Sequence, residues 1–175
     1  MRLALCICPQ WSVQTPSFAI GSLKSHINNK DVVVEQIDLN ILSSIYTKEK
    51  NIEKFWDWGN DKPWNSETNF QTEILPYFKD LWHEYIEILS TYDIVAFTTY
   101  TSNIITTDYI ARYVKQLNPN IQIWYGGPYS WYSECGGLVE KDNYREFVDI
   151  ACGSNDGERI ISDLVNKYLE DGHYD

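Results

Sequence analysis

Leu3 to Cys8 is an unbroken apolar run closed by Pro9. A short run of this kind reads as a strand buried on both faces. After the loop "PQWSVQTPS", the segment "SFAIGSLKSHINN" sets Phe18, Ile20, Leu23 and Ile27 at helical spacing. Ser17 stands as its N-cap and Asn28-Asn29 as its end. "VVVEQIDL" follows, short and β-branched, and reads as a second strand. Strand, helix, strand in this order is a β-α-β unit, the building block of parallel sheets.

From Asn40 to about Thr91 the period changes. "NILSSIYTKEKNIEKFWDW" is helical in character, "GNDKPWNSETNF" is a polar loop, and "QTEILPYFKDLWHEYIEILSTY" carries Leu75, Phe78, Leu81, Trp82, Tyr85, Ile86 and Leu89 on helical periods. Pro76 falls in the first turn of that helix, where its missing N–H costs nothing. The stretch reads as a helical insertion after strand 2. The alternation then resumes. "DIVAFTTY", "IQIWYGG" and "VDIACGS" are strands; "SNIITTDYIARYVKQLNP" and "DGERIISDLVNKYLEDG" are helices; "PYSWYSECGGLVEKDNYREF" is a loop with a short helix. The expected fold is α/β, a flavodoxin-like or Rossmann-like doubly wound parallel five-stranded sheet of order 2-1-3-4-5, as one domain over 1–175. Ligands of such sheets sit at the carboxyl ends of the strands, here at the switch point between strands 1 and 3.

Composition narrows the partners. Hydrophobic content is 43% and aromatic content 15%, values of a folded chain. The seven Trp and thirteen Tyr are many for one small core, which places some of them in a pocket or interface. A formal net charge of -11 leaves no basic stripe for nucleic acid and disfavours an anionic membrane surface. No apolar run is long enough to span a membrane. "MRLALCICPQ" is too short for a signal peptide and lacks a small-residue cleavage site, so a cytoplasmic protein is expected. Cys6, Cys8, Cys135 and Cys152 form no C-x-x-C pair and read as buried, reduced thiols.

The strand-end loops carry the candidate chemistry. The first, "PQWSVQTPS", has neither G-x-G-x-x-G nor a P-loop lysine. The third, "TTYTSN", offers hydroxyls at Thr98, Thr99, Thr101 and Ser102 and an amide at Asn103; Ser102 or Asn103 can equally cap the next helix. In the fourth, Gly126-Gly127-Pro128 lets the backbone be approached closely, either by a ligand or within an ordinary tight turn. In the fifth, "GSNDGE", Asn155 or Asp156 can cap the last helix, Glu158 suits its dipole, and bare amides could hold a polar group. His26 and His83 lie inside helices and His173 in a terminal tail, so no acid, base or nucleophile constellation falls on these loops, and no catalytic or metal-ligating residue is assigned.

Taken in order, "TPSFAIGSLKSHI" with "EQIDLNI", then "DIVAFTTYTSNI", "IWYGGPY" and "DIACGSNDGERIISDLV" resemble the N-terminal cobalamin (B12)-binding domain of radical S-adenosylmethionine (SAM) enzymes. The resemblance covers the chain apart from the helical insertion. It implies a corrin held over the carboxyl ends of the strands, with Thr98, Thr99, Tyr100, Asn103, Gly126, Gly127, Pro128, Gly153 and Glu158 as cofactor-binding residues. Three departures stand out. "GSNDGE" replaces the family's "GEGE". "CPQWSV" stands where other cobalamin domains carry D-x-H-x-x-G, so cobalt would have no lower His ligand. The four cysteines cannot make the C-x-x-x-C-x-x-C of a 4Fe-4S cluster. The cluster, S-adenosylmethionine and the radical SAM catalytic domain are therefore expected downstream, as this domain's partner. Two other readings are a degenerate domain without cofactor, used for substrate recognition or protein interaction, and a stand-alone flavodoxin-like enzyme. The bare site loops speak against the last.

Overall fold

The computed structural model describes residues 1–14, 16–56, 62–131, 146–154 and 156–172. Cys135, Asn155, His173 and most of the loop after Pro128 lie outside the described residues, as does the side chain of Trp131.

The apolar run at the start forms β1 (Arg2–Ile7), and the strands β2 (Val33–Asp38), β3 (Ile94–Thr98), β4 (Gln122–Gly126) and β5 (Ile150–Ala151) follow in chain order. All pair in parallel, in the order β2-β1-β3-β4-β5. This is the doubly wound, flavodoxin-like sheet that the alternation of elements implies. Leu3 pairs with Val34 on one side and Ile94 on the other, so β1 is central and buried on both faces. β5 is only two residues long, shorter than "VDIACGS" suggests.

The helices divide between the two faces. α1 (Phe18–His26) and α7 (Gly157–Asp171) cover the face to which Leu3, Leu5, Ile7, Ala96 and Trp124 point. α2 (Leu39–Lys50), α4 (Leu75–Leu89) and α5 (Ile104–Leu117) cover the other, with Ala4, Cys6, Cys8, Phe97 and Tyr125. Cys6 and Cys8 thus share a face, fully buried as reduced thiols; burial, with help from Cys8, pushes the Cys6 thiol well up. Cys152 is only half-buried. Between α2 and α4 lie a 3-10 turn (Glu53–Trp56), the short α3 (Glu67–Asn69) and a π-helical turn (Phe70–Ile74), and the four-residue α6 (Pro128–Trp131) follows β4.

Three local readings change. The segment "GNDKPWNSETNF" contributes to the core: Trp64 is 1% exposed and Phe70 fully buried, against Phe78 and Trp82. Polar neighbours mask the two rings, which stand too far apart in the sequence to set a period. Phe18, expected on the apolar face of α1, is 85% exposed. Ser17 occupies the N-cap of α1 without a capping bond from its side chain; its backbone N–H donates instead to Asp38 Oδ2 at 3.4 Å.

Candidate functional site

The loops at the carboxyl ends of β1 and β3 bind one another. Ser102 Oγ donates to Gln10 O at 2.8 Å, and Gln10 N to Ser102 O at 3.4 Å. Asn103, fully buried, stands at the N-cap of α5 but makes no cap bond there. Its Nδ2 donates to Cys8 O at 3.3 Å and Thr98 O at 3.1 Å, and its Oδ1 accepts from Tyr100 N at 2.8 Å. Above these bonds the Trp11 ring stacks on Tyr100, centroids 4.3 Å apart and planes inclined by 19°. The β1–α1 loop is pinned from β2 as well. Asp38 Oδ1 caps α2 through Ile41 N at 2.9 Å, and Asn40 Oδ1 accepts from Trp11 N at 2.8 Å while its Nδ2 donates to Ser12 O at 3.2 Å.

The loops of β3 and β4 interlock in the same way. Thr99 N and Thr99 Oγ1 both reach Gly126 O at 2.7 Å, and Thr99 O accepts from Tyr129 N at 3.1 Å. Gly127 sits at φ +97°, and a Cβ there would lie 2.7 Å from Thr99 O. The close approach that demands this glycine is therefore with the chain's own backbone. Gly126 is different: its would-be Cβ meets only Cys152 Cβ, at 3.9 Å.

Space opens beside this locked edge, toward β3, β4 and β5. A cavity of about 260 Å³ lies between the sheet and the helices α1 and α7. Ala96, Trp124 and Ile150 form its floor, Leu23 and Ile161 its helical walls, and Tyr100 and the Gly126–Pro128 turn its upper end. Its lining is mostly apolar. The polar side chains are few: Thr98, Tyr100 by its hydroxyl, Trp124 by its indole N–H, Cys152, Ser154 and Glu158, whose Oε1 accepts from Ser22 Oγ at 2.9 Å. Burial raises the Tyr100 phenol above its ordinary range, so it stays a neutral donor.

Of the nine residues singled out from sequence, Thr98, Tyr100, Gly126, Gly127, Pro128 and Glu158 line this one cavity. Thr99 and Asn103 stand behind it, fully buried, and build the loops. Gly153 is exposed, with open space where a Cβ would be. The cavity is offset from the switch point between β1 and β3, where ligand was expected, because there the two loops are bonded to each other. Ser22, Cys152 and Trp124 also belong to the site. Alternation along β4 could have assigned Trp124 to the α1–α7 face, but nothing in the sequence signals that α1 and α7 pair. His26 and His83 lie elsewhere: His26 Nδ1 is 2.9 Å from Ser22 O, and His83 Nε2 is 3.0 Å from Tyr109 Oη. Among the described residues no group of three or more His, Cys, Asp or Glu could hold a metal ion, and no helix is long and apolar enough to cross a membrane.

Fold and cavity together define a flavodoxin-like α/β domain with a small apolar cleft at the carboxyl edge of its sheet. No family model, curated protein or solved structure matches the chain.

Proposed function

We propose that this chain is a cobalamin-binding module serving a radical SAM catalytic domain. The observation that carries the reading is the convergence of Thr98, Tyr100, Gly126, Gly127, Pro128 and Glu158 on one cavity, at the carboxyl edge of the sheet and beside the switch point at which doubly wound sheets take ligands. Small-molecule sites typically enclose about 300–1,000 Å³. A cavity of about 260 Å³ therefore admits part of a large cofactor, the remainder lying on the loops outside. The donor set suits a corrin. Its rim of amide groups offers N–H donors to the Glu158 carboxylate and carbonyl acceptors to the Thr98 hydroxyl and to amides near Gly153. Apolar walls suit the ring edges. Bound cobalamin would supply cobalt chemistry for methyl transfer or rearrangement. The protein's part is to hold and orient it and to exclude water; the substrate belongs to the partner domain.

A second reading, a cofactor-free recognition or interaction module, draws on a specific observation too: the bonded β1 and β3 loops under the Trp11–Tyr100 stack occupy the usual switch-point crevice. One experiment separates the two. The purified protein is incubated with hydroxocobalamin, desalted, and its visible spectrum recorded. Stoichiometric retained corrin is expected, and Glu158→Ala should weaken retention. A colourless protein would refute the cobalamin reading and leave the interaction module.

A further inference from the structure

Trp11 is 44% exposed although one face of its ring is covered by Tyr100. The accessible area must then come from the opposite face and the ring edges. Leaving so large an apolar side chain in water forgoes burial free energy, and holding it still forgoes entropy. Here it is held. Its backbone N–H is bonded to Asn40, itself 2% exposed, and its neighbour Gln10 is bonded both ways to Ser102. Tyr100, the ring beneath it, also lines the cavity. Trp11 itself does not line the cavity, so it is no plug in it; the space stays open with the indole in place. Phe18, 85% exposed, adds a second apolar group to the same edge, one residue before Ala19 of the cavity wall.

We infer that Trp11 is a ligand-contact residue, a prefixed stacking platform whose free ring face takes the flat face of the ligand that projects from the cavity. The inference rests on the cobalamin reading, which supplies a ligand too large for the cavity and flat outside it. A rigid aromatic surface gives affinity cheaply, since its ordering is complete before the ligand arrives. Tyr100 links the two places: it supports the Trp11 ring and also lines the cavity, so the two parts of the ligand are held in fixed relation.

The test is a titration of the full chain with hydroxocobalamin, followed by visible absorbance, for wild type, Trp11→Phe and Trp11→Ala, with thermal unfolding of each as a check on folding. Stacking of this kind is worth about a tenfold change in Kd. Trp11→Ala should weaken binding by about that factor and Trp11→Phe by less, with melting temperatures lowered by no more than a few degrees through loss of the stack on Tyr100. Wild type that binds while Trp11→Ala binds equally well or better would overturn the platform alone. If Trp11→Ala unfolds, Trp11→Phe decides: tighter or equal binding would overturn the platform. Wild type that binds no corrin would overturn the cobalamin reading and the platform with it.

Discussion

Replacing Gly127 by alanine should destabilise the protein whether or not any ligand binds. At φ +97° an L-residue is strained, at a cost of about 1–3 kcal/mol. The new Cβ would also stand 2.7 Å from Thr99 O and 3.0 Å from Thr99 N. Both are backbone atoms at the end of β3, so no side chain can swing away. Relief requires the β4 turn to move off β3. That stretches the bonds from Thr99 N to Gly126 O (2.7 Å) and from Tyr129 N to Thr99 O (3.1 Å), each worth about 1 kcal/mol. The sum is about 3–5 kcal/mol, a large part of the roughly 5–15 kcal/mol that holds a domain together. For a chain of this length it lowers Tm by about 6–20 °C. Gly126→Ala is the control. Its Cβ makes an ordinary contact with Cys152, and the cost should stay under about 1 kcal/mol. Differential scanning calorimetry of the two variants beside wild type measures the contrast. Equal melting temperatures for Gly127→Ala and wild type would refute the reasoning. The same geometry makes Gly126, and not Gly127, the position at which a larger side chain tests ligand binding.

Asn103→Leu removes three bonds from a fully buried amide and leaves Cys8 O, Thr98 O and Tyr100 N to find others; urea unfolding should show a loss of about 2–4 kcal/mol, against about 1 kcal/mol or less for Ser102→Ala. Burial, with smaller contributions from Tyr113, pushes the Tyr109 phenol up to about 12 from 10.0. The folded state therefore keeps that proton more tightly than the unfolded chain, so stability holds below pH 10 and falls between pH 10 and about 12. Tyr109→Phe should flatten this fall in alkaline denaturation curves; an unchanged slope would count against burial as the cause. Cys152 should alkylate with iodoacetamide under native conditions while Cys6 and Cys8 remain protected, as read by peptide mass spectrometry, and a ligand filling the cavity should slow Cys152 as well.

Strand order was legible because it follows from simple signals. An apolar run as short as Leu3–Cys8 suits a strand buried on both faces, and helices between such strands favour parallel pairing. Side-chain identity carried less. Asn103 looks like a cap or a ligand contact, yet its Nδ2 ties the end of β1 to the end of β3 while its Oδ1 holds Tyr100 N, which depends on how two distant strand ends meet. Asp38 and Asn40 look like the start of a helix, and they also pin the loop that carries Trp11. Gly127 showed that something comes close, and only tertiary geometry identified it as Thr99. Trp64 escaped because isolated buried rings in a polar segment leave no period to detect. The cavity depends on α1 packing against α7, elements separated by most of the chain, and local pattern carries no record of such a pair.

The sheet has unequal sides. On the α2–α4–α5 side, Trp64, Phe70, Phe78 and Trp82 lock against one another ring to ring. On the other side α1 is nine residues long with Ile20 alone buried, and α7 buries only Ile161 and Val165. One side is ballast and the other a light cover. α1 and α7 wall the cleft with few fully buried side chains of their own, while the aromatic side carries the ring-on-ring packing that holds the chain folded. Changes in the ballast would reset the melting point; changes in the cover would reset what the cleft can hold.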